Sequence, residues 1–142
     1  MNVSARNVFS GIISNLTEGD VNSEVELTLP GGDKIVAIVT QASVRSLALA
    51  QGQRALAYVK APWVMLLSGG PDGRFSARNQ LSGTVAGLSK GAVNTEVAIA
   101  LAGEDRVHAV VTNEAILELG LKPGVPATAL IKASDVILGV PA

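Results

Sequence analysis

Between Val21 and Leu29 the chain reads Val-Asn-Ser-Glu-Val-Glu-Leu-Thr-Leu, with apolar positions 25, 27 and 29 separated by single polar residues. A period of two marks a strand with one face buried. The runs Arg6–Leu16 and Lys34–Thr40 read as strands on either side of it, and Gly31-Gly32-Asp33 is the hairpin turn before the third. After Thr40 the period lengthens. Val44, Leu47 and Ala48 fall at helical spacing, which predicts a short helix over Gln41–Ala50 that stops at Gln51-Gly52. Two more β-rich runs follow, Ala55–Lys60 and Trp63–Leu67.

The same pattern then returns. Ser4-Ala5-Arg6-Asn7 recurs as Ser76-Ala77-Arg78-Asn79, and residues 4–70 laid over 76–142 share 27 of 67 positions without a gap. The second copy has its own turn at Ala102-Gly103-Glu104-Asp105 and a helical stretch at Asn113–Leu121 ending at Lys122-Pro123-Gly124. Strands at Ala127–Lys132 and Val136–Leu138 complete it. The expected fold is mainly β: two tandem OB-like five-stranded barrels, each with one short helix between its third and fourth strands. The first domain is placed at residues 1–70 and the second at 74–142. Ser68-Gly-Gly-Pro-Asp-Gly73 joins them, too short to let them move independently.

Composition sharpens this picture. A repeat of about 70 residues is near the lower limit for a self-sufficient core. With no cysteine, few aromatic residues and 48% hydrophobic content, the repeats are expected to pack on each other and on further copies of the chain. Net charge is −1, so no global field draws nucleic acid or membrane. The absence of cysteine and the single histidine exclude the usual zinc, iron–sulfur and thiol chemistries. Met1-Asn2-Val3-Ser4 has neither a basic nor an apolar leader segment, and no apolar run approaches the roughly 18 residues of a membrane span, so a soluble cytoplasmic protein is expected.

Duplication supplies a filter, because a site worth believing is present twice. The polar residues kept in both copies are Ser4/Ser76, Arg6/Arg78, Asn7/Asn79, Ser10/Ser82, Asn22/Asn94, Glu24/Glu96, Asp33/Asp105, Thr40/Thr112 and Lys60/Lys132. The aspartates fit the hairpin turns, and the glutamates read as solvated carboxylates on the polar face of a strand. The others are mainly hydrogen-bond donors. His108 stands opposite Val36, so no repeated base or nucleophile pair exists and the chain is not read as an enzyme. A donor-only set suits a fully ionised tetrahedral oxyanion, whose oxygens only accept. Thr40 and Thr112 are expected to cap the helices that follow them.

Together these residues resemble the Mop domain family, and two copies in tandem resemble the di-Mop molybdate-binding proteins. The motifs are Ser-Ala-Arg-Asn, Gly-x-Val-Asn, Val-Thr before the helix, and Lys-Ala-Pro-Trp or Lys-Ala-Ser-Asp before the last strand. The resemblance implies a homotrimer that binds molybdate or tungstate for storage or homeostasis, with no metal-cation or organic cofactor. The balanced charge leads to no expected nucleic-acid or membrane partner. With neither a helix-turn-helix region nor a P-loop, the chain is expected to be a stand-alone binder.

By position, the first lateral site is implied to use Ser4, Ala5, Arg6, Thr40, Lys60, Ala61 and Pro62. The second uses Ser76, Ala77, Arg78, Thr112, Lys132, Ala133 and Ser134, and in the family such sites lie between subunits. Axial sites are implied at Gly19, Val21 and Asn22, and at Gly91, Ala92, Val93 and Asn94. Asp20 in place of Ala92 disfavours an anion at the first axial turn. Ser134 donates where Pro62 cannot. The competing readings are an OB-type module for single-stranded nucleic acid, disfavoured by one Trp, one Tyr and two Phe, and a ligand-free structural trimer.

Overall fold

The computed structural model describes residues 3–141. The first repeat contains β1 (Asn7–Thr17), β2 (Asn22–Thr28), β3 (Lys34–Thr40), α1 (Gln41–Ser46), β4 (Arg54–Val59) and β5 (Met65–Ser68). The second contains β6 (Asn79–Lys90), β7 (Asn94–Ala100), β8 (Arg106–Thr112), α2 (Asn113–Leu119), β9 (Pro126–Ile131) and β10 (Ile137–Gly139). Single 3-10 turns, Ala61–Trp63 and Ala133–Asp135, precede β5 and β10. The alternation read in the sequence is the burial pattern: β2 buries Ser23, Val25 and Leu27, and β7 buries Thr95, Val97 and Ile99.

β1 and β6 each carry a bulge at the same place, between Ile13 and Asn15 and between Val85 and Gly87. A bulge bends a strand and sharpens its twist. β1 accordingly pairs with β4 through Asn7–Ile12 and with β2 through Ile12–Thr17. β6 does the same with β9 and β7.

Both helices are capped as predicted, Thr40 Oγ1 accepting from the Ser43 N–H at 3.1 Å and Thr112 Oγ1 from the Ala115 N–H at 3.2 Å. They are shorter than the sequence suggested. α2 ends where Gly120 turns left-handed with φ +64°, while at the equivalent place in the first repeat Ala48 adopts φ +50°. An L-residue with a Cβ is held there at a cost of about 1–2 kcal/mol.

The expectation that residues 1–70 and 74–142 each close their own barrel is corrected in its connectivity. The sheets run β10-β4-β1-β2-β3 and β5-β9-β6-β7-β8, so each takes its last strand from the other repeat. Ile137 lies opposite Tyr58, and Met65 opposite Leu130, the same register in both. After each 3-10 turn the chain continues to the neighbour's open edge instead of folding back on its own fourth strand. The repeats are sequence units, and the folded barrels cross them. One apolar cluster runs through both, from Phe9, Ile13 and Leu27 to Val85, Ile99 and Ile131.

Two buried asparagines lock this arrangement. Asn79 Nδ2 donates to the Val36 carbonyl at 2.8 Å, and its Oδ1 accepts from the Val36 N–H at 2.7 Å. Asn7 does the same to His108, at 2.8 and 2.7 Å. Val36 and His108 lie on β3 and β8, the edge strands, so each asparagine satisfies both peptide groups of an edge residue in the other repeat. The hairpin turns also meet: a Cβ on Gly31 would come within 2.2 Å of the Ala102 carbonyl oxygen, so no larger residue fits.

Two substitutions test this account by chemical denaturation. Asn79→Ala leaves two backbone groups unpaired and is expected to lower stability by at least about 2 kcal/mol. Ala48→Gly relieves the left-handed strain and is expected to raise it by about 0.5–1 kcal/mol, net of the extra entropy of the unfolded chain.

Candidate anion site

The pairing of β1 with β4 brings Asn7 opposite Val59, and the residues flanking that pair meet. Ser4, Ala5 and Lys60 line one pocket of about 310 Å³ with Val3, Tyr58 and Trp63. Ile137 and Gly139 of the exchanged β10 complete its wall. In the second repeat Asn79 lies opposite Ile131, and Ser76, Ala77 and Lys132 line a pocket of about 270 Å³. Trp63 and Met65 reach it from the first repeat, beside Phe75 and Asp135. Strand exchange therefore makes each pocket a product of both repeats. Ala61 and Ala133 are buried in the 3-10 turns, whereas Pro62 and Ser134 are exposed. Asp135 puts a carboxylate in the second pocket where the first has Trp63.

Thr40 and Thr112 line neither pocket. Thr40 stands in register with Asn22 and Thr112 with Asn94, beside the predicted axial turns. The Val21 carbonyl accepts from Gln41 N–H and the Val93 carbonyl from Asn113 N–H, which ties each turn to the start of its helix. Asn113 Nδ2 also donates to the Gly91 and Ala92 carbonyls, and Ser23 donates to Gln41. Thr112, Ala92 and Val93 line a third pocket of about 350 Å³ with Asn113 and Glu114. Gly19, Val21 and Asn22 sit exposed on the equivalent turn of the first repeat. Within one chain, then, the predicted lateral residues are split among a Ser-Ala-Lys pocket, a threonine beside an axial turn, and an arginine, Arg6 or Arg78, that lines none of these three pockets.

The arginines are engaged across the repeats. Arg6 Nε donates to Glu96 Oε1 at 2.8 Å, and Arg78 donates to both oxygens of Glu24 at 2.6 and 2.8 Å. The reading of Glu24 and Glu96 as merely solvated carboxylates is thereby corrected: each faces an arginine that folding brings from the other repeat. The hydrogen bonds from Arg78, helped by its charge, hold the Glu24 carboxyl below the ordinary range against a smaller opposing effect of burial.

His108 lies beside the Arg6–Glu96 pair. Its Nδ1 is buried 3.3 Å from Glu96 Oε1. Burial first, and the Arg6 charge second, lower its pKa from 6.5, outweighing the pull of Glu96.

Two functional features escaped sequence reasoning, the glutamate partners of the arginines and the inter-repeat role of Asn7 and Asn79. Their signal was present, since all four recur at the same offset as Arg6 and Arg78, but nothing local pairs residues so distant in sequence. Among the described residues no helix is long and apolar enough to cross a membrane, and no three His, Asp or Glu side chains converge to hold a metal cation.

Comparison with known proteins gives consistent matches. The TOBE domain model matches residues 3–66 and again 76–138. The molybdenum-pterin-binding protein MopA of Rhodobacter capsulatus is 45% identical over 141 residues, covering 99% of this chain and 53% of that protein. The molybdenum transport protein ModE of Azotobacter vinelandii is 44% identical over 140 residues, covering 99% and 52%. The chain thus spans about half the length of these curated relatives. Among solved structures, the cytoplasmic molybdate-binding protein ModG with molybdate bound superposes with a TM-score of 0.95. It is 57% identical, with 99% of this chain and all of that one covered.

The single imidazole gives this geometry a pH signature. A folded-state pKa below the unfolded value means the unfolded chain binds more protons, so His108 costs stability as pH falls below 6.5 toward the folded pKa. Thermal unfolding of His108→Val, which installs the residue of the first repeat, is expected to lose that part of the acid destabilisation.

Proposed function

Because this chain belongs to the TOBE domain family, we propose that it binds molybdate, and tungstate by the same chemistry, for storage or homeostasis in the cytoplasm. The observation that carries this reading is the duplicated pocket, Ser4, Ala5 and Lys60 in one repeat and Ser76, Ala77 and Lys132 in the other. The likeness to a molybdate-bound structure over the whole chain supports the ion.

The chemistry follows from the donor types. Molybdate presents four acceptor oxygens and two negative charges, and a pocket away from bulk water must give each oxygen an N–H or O–H. The lysine ammonium provides charge, the serine hydroxyl rotates to donate, and arginine provides a planar fork. Phosphate near neutral pH retains a proton that requires an acceptor, which such a donor set withholds. Binding to pre-formed donors needs no covalent chemistry, which agrees with a binding protein rather than a catalyst.

The lateral sites are assigned to Ser4, Ala5, Arg6, Thr40, Lys60, Ala61 and Pro62, and to Ser76, Ala77, Arg78, Thr112, Lys132, Ala133 and Ser134. Each site takes its threonine wall from a neighbouring subunit of a homotrimer. Exposed apolar side chains beside the pockets, Trp63, Met65, Phe75 and Ile137, support a further copy covering them. Axial sites are assigned to the Gly19–Asn22 and Gly91–Asn94 turns, with the second favoured because Ala92 replaces Asp20. Val21 and Val93, 74% and 70% exposed, are apolar surface that a symmetric assembly would bury.

Equilibrium dialysis is expected to show molybdate uptake in the presence of excess sulfate; no uptake overturns the reading. Lys132→Ala removes the only lysine of the second pocket and is expected to weaken those sites about ten-fold or more while the first-pocket sites remain filled. Sedimentation is expected to give the mass of a trimer, and a clean monomer contradicts the intersubunit assignment.

A further inference from the structure

Arg6 and Arg78 occupy equivalent positions, yet their guanidinium groups are held differently. Arg78 gives both terminal amino groups to Glu24, Nη1 to Oε2 at 2.8 Å and Nη2 to Oε1 at 2.6 Å. Arg6 gives only Nε to Glu96, and its two terminal nitrogens meet no partner among the described residues. Glu96 is also drawn toward the His108 ring, 3.3 Å away. Val36 stands at the position equivalent to His108, so the first repeat has no such ring near Glu24.

A carboxylate and a tetrahedral oxyanion use the same end-on fork of a guanidinium, two acceptor oxygens set against its two terminal amino groups. They therefore compete for Arg78. At Arg6 they do not, because the carboxylate takes Nε and leaves the fork open. On the molybdate reading above, we infer that Glu24 is an internal competitor of the bound anion and that Glu96 is not. Glu24 holds the fork of Arg78 and must release it before an anion binds there, whereas Glu96 orients Arg6 without blocking it. Sites containing Arg6 then fill first, and sites containing Arg78 fill at higher concentration.

Release of Glu24 is feasible because the pair is solvent-exposed, with 50% of the Arg78 side chain and 39% of Glu24 accessible. Exposed pairs of this kind are weak, so Glu24 lowers affinity without closing the site. Glu24 also stays a carboxylate at neutral pH, since its pKa lies below the ordinary range. Asp135 adds a second acceptor to the pocket that holds Ser76 and Lys132. Neutralising Glu24 is therefore expected to narrow the gap between the two classes rather than abolish it.

The test is a molybdate titration by equilibrium dialysis of the full chain, Glu24→Gln and Glu96→Gln, with thermal unfolding to verify that each variant is folded. The unaltered chain is expected to show two classes of lateral uptake. Glu24→Gln is expected to tighten the weaker class about three- to five-fold, the upper end of what an exposed ion pair contributes. Glu96→Gln is expected to change the tighter class by at most about two-fold, because Glu96 does not occupy the fork. Equal tightening in both variants would point to general loss of negative charge and overturn the inference. So would an unchanged weaker class in Glu24→Gln, or a single class in the unaltered chain. Absence of any uptake by the unaltered chain overturns the molybdate reading itself, and the inference with it.

Discussion

The reciprocal hydrogen bonds of Asn7 and Asn79 are the constraint on which the rest of the molecule depends. An edge strand leaves peptide N–H and C=O groups without partners, and burying them unpaired is costly. Each asparagine side chain supplies one donor and one acceptor in the geometry of a missing strand, and each does so for the other repeat. Docking one repeat on the other therefore satisfies backbone groups that neither repeat could satisfy alone.

The same anchors position the residues of the candidate site. Arg6 and Arg78 immediately precede the asparagines, so fixing the asparagine on the opposite edge strand brings the arginine to the opposite sheet, within reach of Glu96 or Glu24. Ser4, Ala5, Ser76 and Ala77 extend from there to Lys60 and Lys132, which directly follow β4 and β9, the strands paired with β1 and β6. The exchanged β5 and β10 then close the pockets with side chains of the other repeat, Met65 in one and Ile137 in the other. Docking, pocket formation and arginine placement are three consequences of one pair of interactions.

Duplication preserved this scaffold while letting its details drift. Bulges, capping threonines and the register of the last strands are the same in both repeats. Val36 against His108, Trp63 against Asp135 and Ala48 against Gly120 are not. The first two lie beside an arginine–glutamate pair or in a candidate pocket, and the third alters only the end of a helix. Two sites of common origin thus have different electrostatic surroundings, set by side chains that do not disturb the backbone.

The chain alone determined the elements. Lys34–Thr40 is the third strand to the residue, the capping role of both threonines was legible from the change of period after them, and the fixed offset established two equivalent sets of donors. These are local properties: alternation, turn residues and caps act within a few positions. The first helix was overestimated because Leu47 and Ala48 continue the helical spacing, whereas Leu47 is the C-cap and Ala48 turns left-handed. Tertiary structure alone decided which fourth strand receives β5 and β10, because Tyr58 and Leu130 lie on edges of identical register and either would accept either strand. It likewise decided that Glu24 and Glu96 face arginines, since residues 54 and 90 positions apart in the chain meet only when the repeats dock. Pairing between equivalent surfaces carries no local signature; only the packed chain, with every edge satisfied, selects among the alternatives.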